Sequence, residues 1–280
     1  MIASPYFPNS FDPQATCILL AGCGDYPQWV WKGMQKMGVS ARVFSFTSEY
    51  PPWLSSLPET QRFFFEIGQV GTWLKALQQQ QAQYVLLAGQ IQPKKLFHGL
   101  HPDVKALWLL SRLKEKNATT IFGALLAEIE KLGIEILDAR CFMEDHLVHK
   151  GILTRKSYQH IDPQQLQRSI EVCRGIAALD VGQSIVVRNG TTLLAEGFDG
   201  TDAMIQHAGT ICSQEMGLIK LAKPTQDFRF DVPIFGLKTL QNMHTAGIQW
   251  AALESNRTLI LDPKTVLAEA DRQKITLLGF

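Results

Sequence analysis

No two cysteines stand two residues apart, no apolar run approaches the length of a membrane helix, and there is almost no net charge. Each absence removes a class of function. The five cysteines, Cys17, Cys23, Cys141, Cys173 and Cys212, are scattered and odd in number, so no C-x-x-C redox pair or zinc motif is present. They read as small buried apolar residues of a reducing compartment. The most apolar stretches, Cys17–Ala21 and Tyr84–Ala88, fall far short of the roughly 20 residues that span a bilayer. Met1–Ser10 has neither the basic start nor the apolar stretch of a signal peptide. A cytoplasmic protein is expected, with any membrane contact peripheral. With 27 basic and 26 acidic side chains the net charge is +1, without the excess of Lys and Arg that a phosphate backbone demands, so no nucleic-acid partner is expected. A G-x-S-x-G elbow is missing and no cysteine has a persuasive histidine partner, which leaves nucleophilic hydrolases unsupported. No repeat of fixed period is detected, and low complexity is confined to the short run Gln78–Gln81.

What is present is a globular composition, 280 residues of which 46% are hydrophobic, enough for two domains. Thr16–Leu20 predicts a strand, Gly22 and Gly24 a turn, and Tyr26–Met37 a helix by its apolar spacing. Strands follow at Ala41–Phe46, Arg62–Ile67 and Gln83–Ala88, with a helix over Gln69–Gln80. Two amphipathic helices are predicted between His101 and Lys131, the second capped by Asn117 or Thr119, and Ile134–Leu137 is a closing strand. Strands alternating with helices imply a parallel sheet. Residues 138–162 lack periodicity and are the linker candidate. Beyond them Asp162-Pro163 starts a helix to about Leu179, and Asn189-Gly190 joins Gly182–Arg188 to Thr191–Glu196 in a hairpin. Helices at Gly200–His207, Lys238–Ala246 and Pro263–Gln273 alternate with strands at Gly217–Ala222, Ile248–Leu253, Thr258–Leu261 and Ile275–Leu278. The expected fold is α/β: an N-terminal domain over residues 1–140 with a parallel sheet of Rossmann-like character, a linker over 141–161, and a C-terminal α/β domain over 162–280. Trp29, Trp31, Trp73, Trp108 and Trp250 fall on helical or strand periodicity and read as core.

Two kinds of loop carry chemistry. Ala21–Pro27 follows a strand and precedes a helix, where backbone N–H groups can approach a phosphate. It lacks the third glycine of the dinucleotide fingerprint and a P-loop lysine, so a phosphate cradle and a purely structural turn both remain open. Gly89-Gln90 ends a second strand at the same sheet edge, where parallel sheets put ligands. In the second half, Glu196–Asp202 and Lys223–Pro233 concentrate carboxylates, and Asp227, Arg229 and Asp231 alternate along an extended loop framed by two prolines. Carboxylates take a hard cation such as Mg²⁺ while Lys and Arg neutralise phosphate oxygens. The plainer alternative is that Asp202 and Asp227 cap helices or turns and that Lys223 and Arg229 are solvated. Asp145, His146 and His149 suit no standard ligand spacing, and His98, His101, His207 and His244 are isolated.

With these loops in view, the chain resembles the UDP-2,3-diacylglucosamine pyrophosphatase family of lipid A biosynthesis, of the type built from two α/β domains and unrelated to the calcineurin-like enzymes. Leu20–Pro27 is similar to that family's glycine loop and Leu179–Gly190 to its central hairpin. Glu196–Met204 resembles its E-x-x-E-G-T-D-A-M signature and Ala222–Pro233 its K-P-x-Q-D-x-R-x-D-x-P signature. The resemblance implies hydrolysis of UDP-2,3-diacylglucosamine to 2,3-diacylglucosamine 1-phosphate and UMP with Mg²⁺, by water attacking the β-phosphorus, on the cytoplasmic face of the inner membrane. It also suggests a homodimer and a lipid substrate held between the domains. On this basis Asp231, Asp227, Lys223 and Arg229 are the catalytic candidates, with Asp231 at the family's catalytic position. Asp231, Asp202 and Glu196 are the metal candidates. Gly22, Gly24, Asp25, Pro27, Gly89, Gln90, Gly200, Thr201 and Gln226 are the substrate-binding candidates. Three departures stand out: Asp199 where Glu is usual, Cys23 and Asp25 in a glycine loop that is usually more apolar, and Gly89–Pro93 in place of G-N-x-x-R-P, without its arginine. A non-catalytic binder of a UDP-sugar or glycolipid is the rival of a different class. Judged from the glycine loop alone, a nucleotide-dependent sugar oxidoreductase or transferase is a second.

Overall fold

Cys17–Ala21 is apolar at every position, and a strand buried on both faces belongs in the middle of a parallel sheet. A computed structural model describes residues 4–47, 50–90, 102–115, 117–155 and 161–280, and it divides into two compact units. One comprises Met1–Glu144 with Phe228–Phe230, the other Asp145–Asp227 with Asp231–Phe280.

In the first unit the strands are β1 (Cys17–Ala21), β2 (Ala41–Phe46), β3 (Arg62–Phe65), β4 (Tyr84–Ala88) and β5 (Glu135–Ile136), in the order β3-β2-β1-β4-β5. Every pairing is parallel. The helices are α1 (Tyr26–Lys36), α2 (Val70–Gln79), α3 (Val104–Arg112) and α4 (Ala118–Glu130). Short polar side chains set their starts: Asp103 accepts from the Ala106 amide and Asn117 from that of Thr120. The sheet order reverses between β1 and β4, the position at which such sheets open a crevice beyond their carboxyl ends. Gly22 and Gly89 stand just there. Trp31, Trp73 and Trp250 are buried as expected, but Trp108 on α3 is 37% exposed, because the helix turns it away from Leu109 and the core.

The second unit holds β6 (Gly151–Ile152), β7 (Ser184–Arg188), β8 (Thr191–Ala195), β9 (Met216–Lys220), β11 (Ile248–Leu253) and β13 (Thr276–Gly279), in the order β6-β13-β11-β9-β7-β8. A second, two-stranded sheet pairs β10 (Ile234–Phe235) with β12 (Leu259–Ile260). Alternate residues feed two cores. Val186, Leu218, Ala251 and Leu277 face helices α6 (Gly200–Ile211), α7 (Leu237–Ala246) and α8 (Pro263–Gln273), while Ile185, Ile219 and Ala252 face α5 (Pro163–Ala178). The hairpin turn has Asn189 at φ 46° and Gly190 at φ 74°, the left-handed pair that matches the twist of its strands.

Part of the stretch expected to be a linker forms regular structure. Its Gly151–Ile152 is the edge strand β6, antiparallel to β13, and Leu147 and Val148 are buried. Two-residue strands are too short to show alternation in sequence. Of the cysteines, Cys17, Cys141 and Cys173 are buried, whereas Cys23 and Cys212 are partly exposed. Burial pushes the thiols of Cys17 and Cys173 up to about 12, which removes them from thiolate chemistry.

Candidate active site

Strand parity assembles the centre of the site. On β9, Met216 and Leu218 point toward α6, so Lys220 at the strand's end points the same way. Antiparallel register sets Ser184 of β7 opposite Lys220. The Glu196 amide donates to the Ser184 carbonyl at 2.9 Å, which extends the row across a third strand. Glu196, Ser184 and Lys220 therefore lie side by side, with Thr201 in the first turn of α6 above them.

Hydrogen bonds close this row into a network. Ser184 Oγ donates to Glu196 Oε2 at 2.6 Å, and the Gln183 amide to the same oxygen at 3.2 Å. Thr201 Oγ1 donates to Glu196 Oε1 at 2.8 Å and accepts from Lys220 Nζ at 2.9 Å. Glu196 is 9% exposed and Lys220 5%, and charged side chains are buried this deeply only when paired. Burial alone would raise the Glu196 carboxyl, but Lys220 and the bonds from Ser184, Thr201 and the Gln183 amide outweigh it and hold the group below its ordinary range. Burial lowers the Lys220 ammonium, against the opposing pull of Glu196, Asp231 and Asp202.

Asp231 and Asp202 thus act on Lys220 through space. Asp202 ion-pairs with Lys238 at 2.9 Å at the surface. Asp231 is held through its backbone, its amide donating to the Asp227 carbonyl at 3.1 Å and its carbonyl accepting from Gln226 Nε2 at 3.0 Å. Among the described residues its carboxylate carries no hydrogen bond. The loop is not the extended ribbon expected, because Phe228–Phe230 form a turn whose contacts lie in the first unit. The Arg140 guanidinium sits 3.8 Å over the Phe228 ring, and Phe230 stacks on Phe122 at 5.4 Å.

Several expected roles are taken up by other contacts. Arg229 pairs with Glu130 at 2.8 Å and Lys223 with Asp180. Gln226 staples its loop, accepting from the Lys223 amide at 3.0 Å as well as donating to Asp231. Gly200 opens α6 at φ 83°. In the first unit the Gly22 amide donates to Ala88 at 2.8 Å, and Cys23 and Gln90 exchange both backbone bonds at 2.8 and 3.0 Å. A Cβ on Gly22 would stand 2.5 Å from the Gln90 carbonyl oxygen, and one on Gly89 2.7 Å from that of Cys23 and from Pro27 Cγ. These two glycines let backbone meet backbone, and the amides of Gly22, Cys23 and Gln90 are engaged in these backbone bonds. Gly24 at φ 90° and Asp25 stand exposed before α1, with Asp25 making no side-chain cap. Ile91–Pro93, Lys94, Lys95, His98 and His101 lie outside the described residues.

Glu196 does not fit a metal, since two hydroxyls and an amide already donate to its carboxylate. Among the described residues no three of His, Cys, Asp and Glu are placed to hold an ion. His146 Nδ1 instead meets the Ile260 carbonyl at 3.0 Å. Asp202 and Asp231 remain, and two carboxylates suit an ion such as Mg²⁺ that arrives on phosphate oxygens and keeps part of its water. Sequence inspection missed Lys220 and Ser184. The available signal was a lysine in the apolar run Met216–Ala222, in phase with Met216 and Leu218.

Comparison with known proteins covers both units. Residues 16–146 match the model of the LpxI N-terminal domain and residues 149–278 that of the LpxI C-terminal domain. The chain is 29% identical over 272 residues to the UDP-2,3-diacylglucosamine pyrophosphatase LpxI of Caulobacter vibrioides, covering 93% of this chain and 96% of that one.

Proposed function

The chain belongs to the LpxI family, and from that premise we propose that it hydrolyses the pyrophosphate of UDP-2,3-diacylglucosamine to 2,3-diacylglucosamine 1-phosphate and UMP, a step of lipid A biosynthesis. The observation that carries this reading, beside the near full-length match to a relative of that name, is the buried Lys220–Thr201–Glu196 network, on whose ammonium Asp231 and Asp202 act through space. Water attacks one phosphorus, the bridging P–O bond breaks, and UMP departs with the bridging oxygen. Asp231, whose carboxylate carries no hydrogen bond among the described residues, accepts the water's proton. Asp202 and Asp231 would hold Mg²⁺, which supplies Lewis-acid stabilisation of phosphoryl charge when bound. Purified protein supplied with the lipid nucleotide and Mg²⁺ is expected to release UMP and the 1-phosphate in equal amounts. Absence of UMP under those conditions overturns the reading.

A diacyl substrate places the enzyme at a cytoplasmic membrane face as a peripheral protein. Among the described residues no helix is long and apolar enough to cross a membrane. Support for surface contact comes from α3, which is apolar on its outer side as well as its inner one: Val104 is 83% exposed and Leu107 54%. Lys105 and Arg112 flank the Trp108 ring at 4.7 and 4.2 Å, the pairing of interfacial aromatic and cation that suits anionic headgroups. The double variant Leu107→Ser, Trp108→Ala is expected to lose most of its co-sedimentation with phosphatidylglycerol vesicles. Its turnover of detergent-dispersed substrate should be unchanged. A homodimer is part of the same proposal, and the mass of the protein in solution tests it.

A further inference from the structure

The loop that carries Asp231 is divided between the two units. Residues 223–227 and 231–233 belong to the second, whereas Phe228–Phe230 belong to the first, and contacts of several kinds hold these three residues there. The Ala139 amide donates to the Phe228 carbonyl at 2.7 Å, and the Arg140 guanidinium lies 3.8 Å from the centre of the Phe228 ring. Arg229 pairs with Glu130 at 2.8 Å, and Phe230 stacks on Phe122 with the two planes 17° apart. The receiving surface is itself fixed. Arg140 donates from Nε and Nη2 to the two oxygens of Asp138 at 2.9 and 2.6 Å, which sets the plane of its guanidinium. Ala139 is buried, and its carbonyl accepts from the buried Tyr26 hydroxyl. A loop that merely connected two strands would need none of this.

Phe228–Phe230 are also the tip of a closed turn. The Asp231 amide donates to the Asp227 carbonyl at 3.1 Å, so the three residues stand between two backbone groups bonded to each other. Gln226 fastens the same turn, donating from Nε2 to the Asp231 carbonyl at 3.0 Å. A turn closed in this way moves as one piece, and its tip decides where its base points. We propose that Phe228 and Phe230, seated on Arg140 and Phe122, are positioning residues for the reaction: they fix the turn from which the Asp231 carboxylate is presented to the water it activates. That carboxylate carries no hydrogen bond of its own among the described residues, so the seating of the turn takes the place of a side-chain partner. The inference rests on the pyrophosphatase reading above, but it can fail separately.

The double variant Phe228→Leu, Phe230→Leu loses both rings but keeps the backbone bond to Ala139 and the Arg229–Glu130 pair. Its kcat is expected to fall by about 10²-fold, the scale of a misplacement of a reacting group by about 1 Å, with KM changed much less. Phe228→Tyr, Phe230→Tyr, which keeps both ring faces, should restore it. In an Asp231→Ala background the leucine pair should slow the residual reaction no further, because no carboxylate is left to place. Hydrogen exchange reads the anchor without turnover: the Asp231 amide should exchange faster in the leucine pair than in wild type, while the strands of both units stay protected. Undiminished kcat in the leucine pair, a further loss of the same size in the Asp231→Ala background, or unchanged protection of the Asp231 amide each overturns the proposal. Should the leucine pair not fold, Arg140→Lys decides, since lysine keeps a charge beside Asp138 but has no planar face to lay on Phe228. A lowered kcat whose deficit vanishes in the Asp231→Ala background then supports the role, and wild-type kcat refutes it. A wild-type enzyme that releases no UMP defeats the functional reading instead, and exchange of the Asp231 amide still decides whether the rings hold the turn.

Discussion

Asp231→Ala should slow UMP release by about 10³-fold, the range of one general-base contribution, while the protein still folds and still binds its lipid nucleotide. Retention of fold is expected because the groups that hold Asp231 are its backbone amide and carbonyl, bonded to Asp227 and to Gln226 Nε2. Alanine keeps both. The carboxylate itself carries no hydrogen bond among the described residues, so its removal orphans no donor and the unfolding midpoint should move little. Relief of negative charge beside Lys220 favours the anionic substrate, so affinity should hold or rise while turnover collapses. Mass spectrometry of lipid co-purifying with each protein gives the sharpest contrast: the 1-phosphate with wild type, intact UDP-2,3-diacylglucosamine with the variant. If both carry the same species, or if the variant retains even a tenth of the rate, Asp231 is not the proton acceptor. The same experiment on Asp227→Ala separates the neighbours, since in the second unit Asp227 contributes a backbone carbonyl to the turn that presents Asp231.

Local signals carried most of the fold. The strand at Ile248–Leu253 and the helix at Pro263–Gln273 end where the sequence predicts, because β-branched and aromatic alternation, Asp-Pro starts and turn glycines all act within a few residues. Asn189-Gly190 is the clearest case. The site was legible only in part. Its carboxylates sit in polar loops and stand out, but the residues that organise them are hidden in the core by distance along the chain: Ser184, Glu196 and Lys220 become neighbours only through the register of three strands. A lysine in an apolar strand looks like an edge or a strand end until its partners are known. Phe228 and Phe230 were read as part of an extended acidic loop, and the aromatic contacts that turn that loop, with Arg140 and Phe122, come from far away in sequence. In the glycine loop the sequence leaves a cradle and a structural turn open, and close backbone approach comes only with the fold, where Gly22 meets the Gln90 carbonyl.

Glu196→Ala should cost the protein about 3–5 kcal/mol, since three part-buried or buried donors lose their acceptor at about 1–3 kcal/mol each. That corresponds to an unfolding midpoint lower by on the order of 10 °C. The loss is large because three donors, Ser184 Oγ, Thr201 Oγ1 and the Gln183 amide, lose their acceptor together while Lys220 keeps its bond to Thr201 but loses the nearby negative charge. Glu196→Gln separates charge from shape, since the amide oxygen still accepts but the negative charge is gone. Its deficit should depend on pH in a defined direction. The Glu196 carboxyl is held below its ordinary value of 4.5 in the folded protein. A carboxylate with a depressed folded value stabilises the fold fully above the unfolded value, and that contribution fades as pH falls through the folded one. The stability gap between wild type and Glu196→Gln should therefore be widest near neutrality, constant down to about pH 5, and should close in stronger acid as the wild-type carboxyl takes up its proton. Denaturant melts at a series of pH values measure the gap. A deficit that is flat across the acid range would mean that the charge of Glu196 contributes nothing, and with it would fall the picture of Lys220 as an ammonium anchored by this carboxylate.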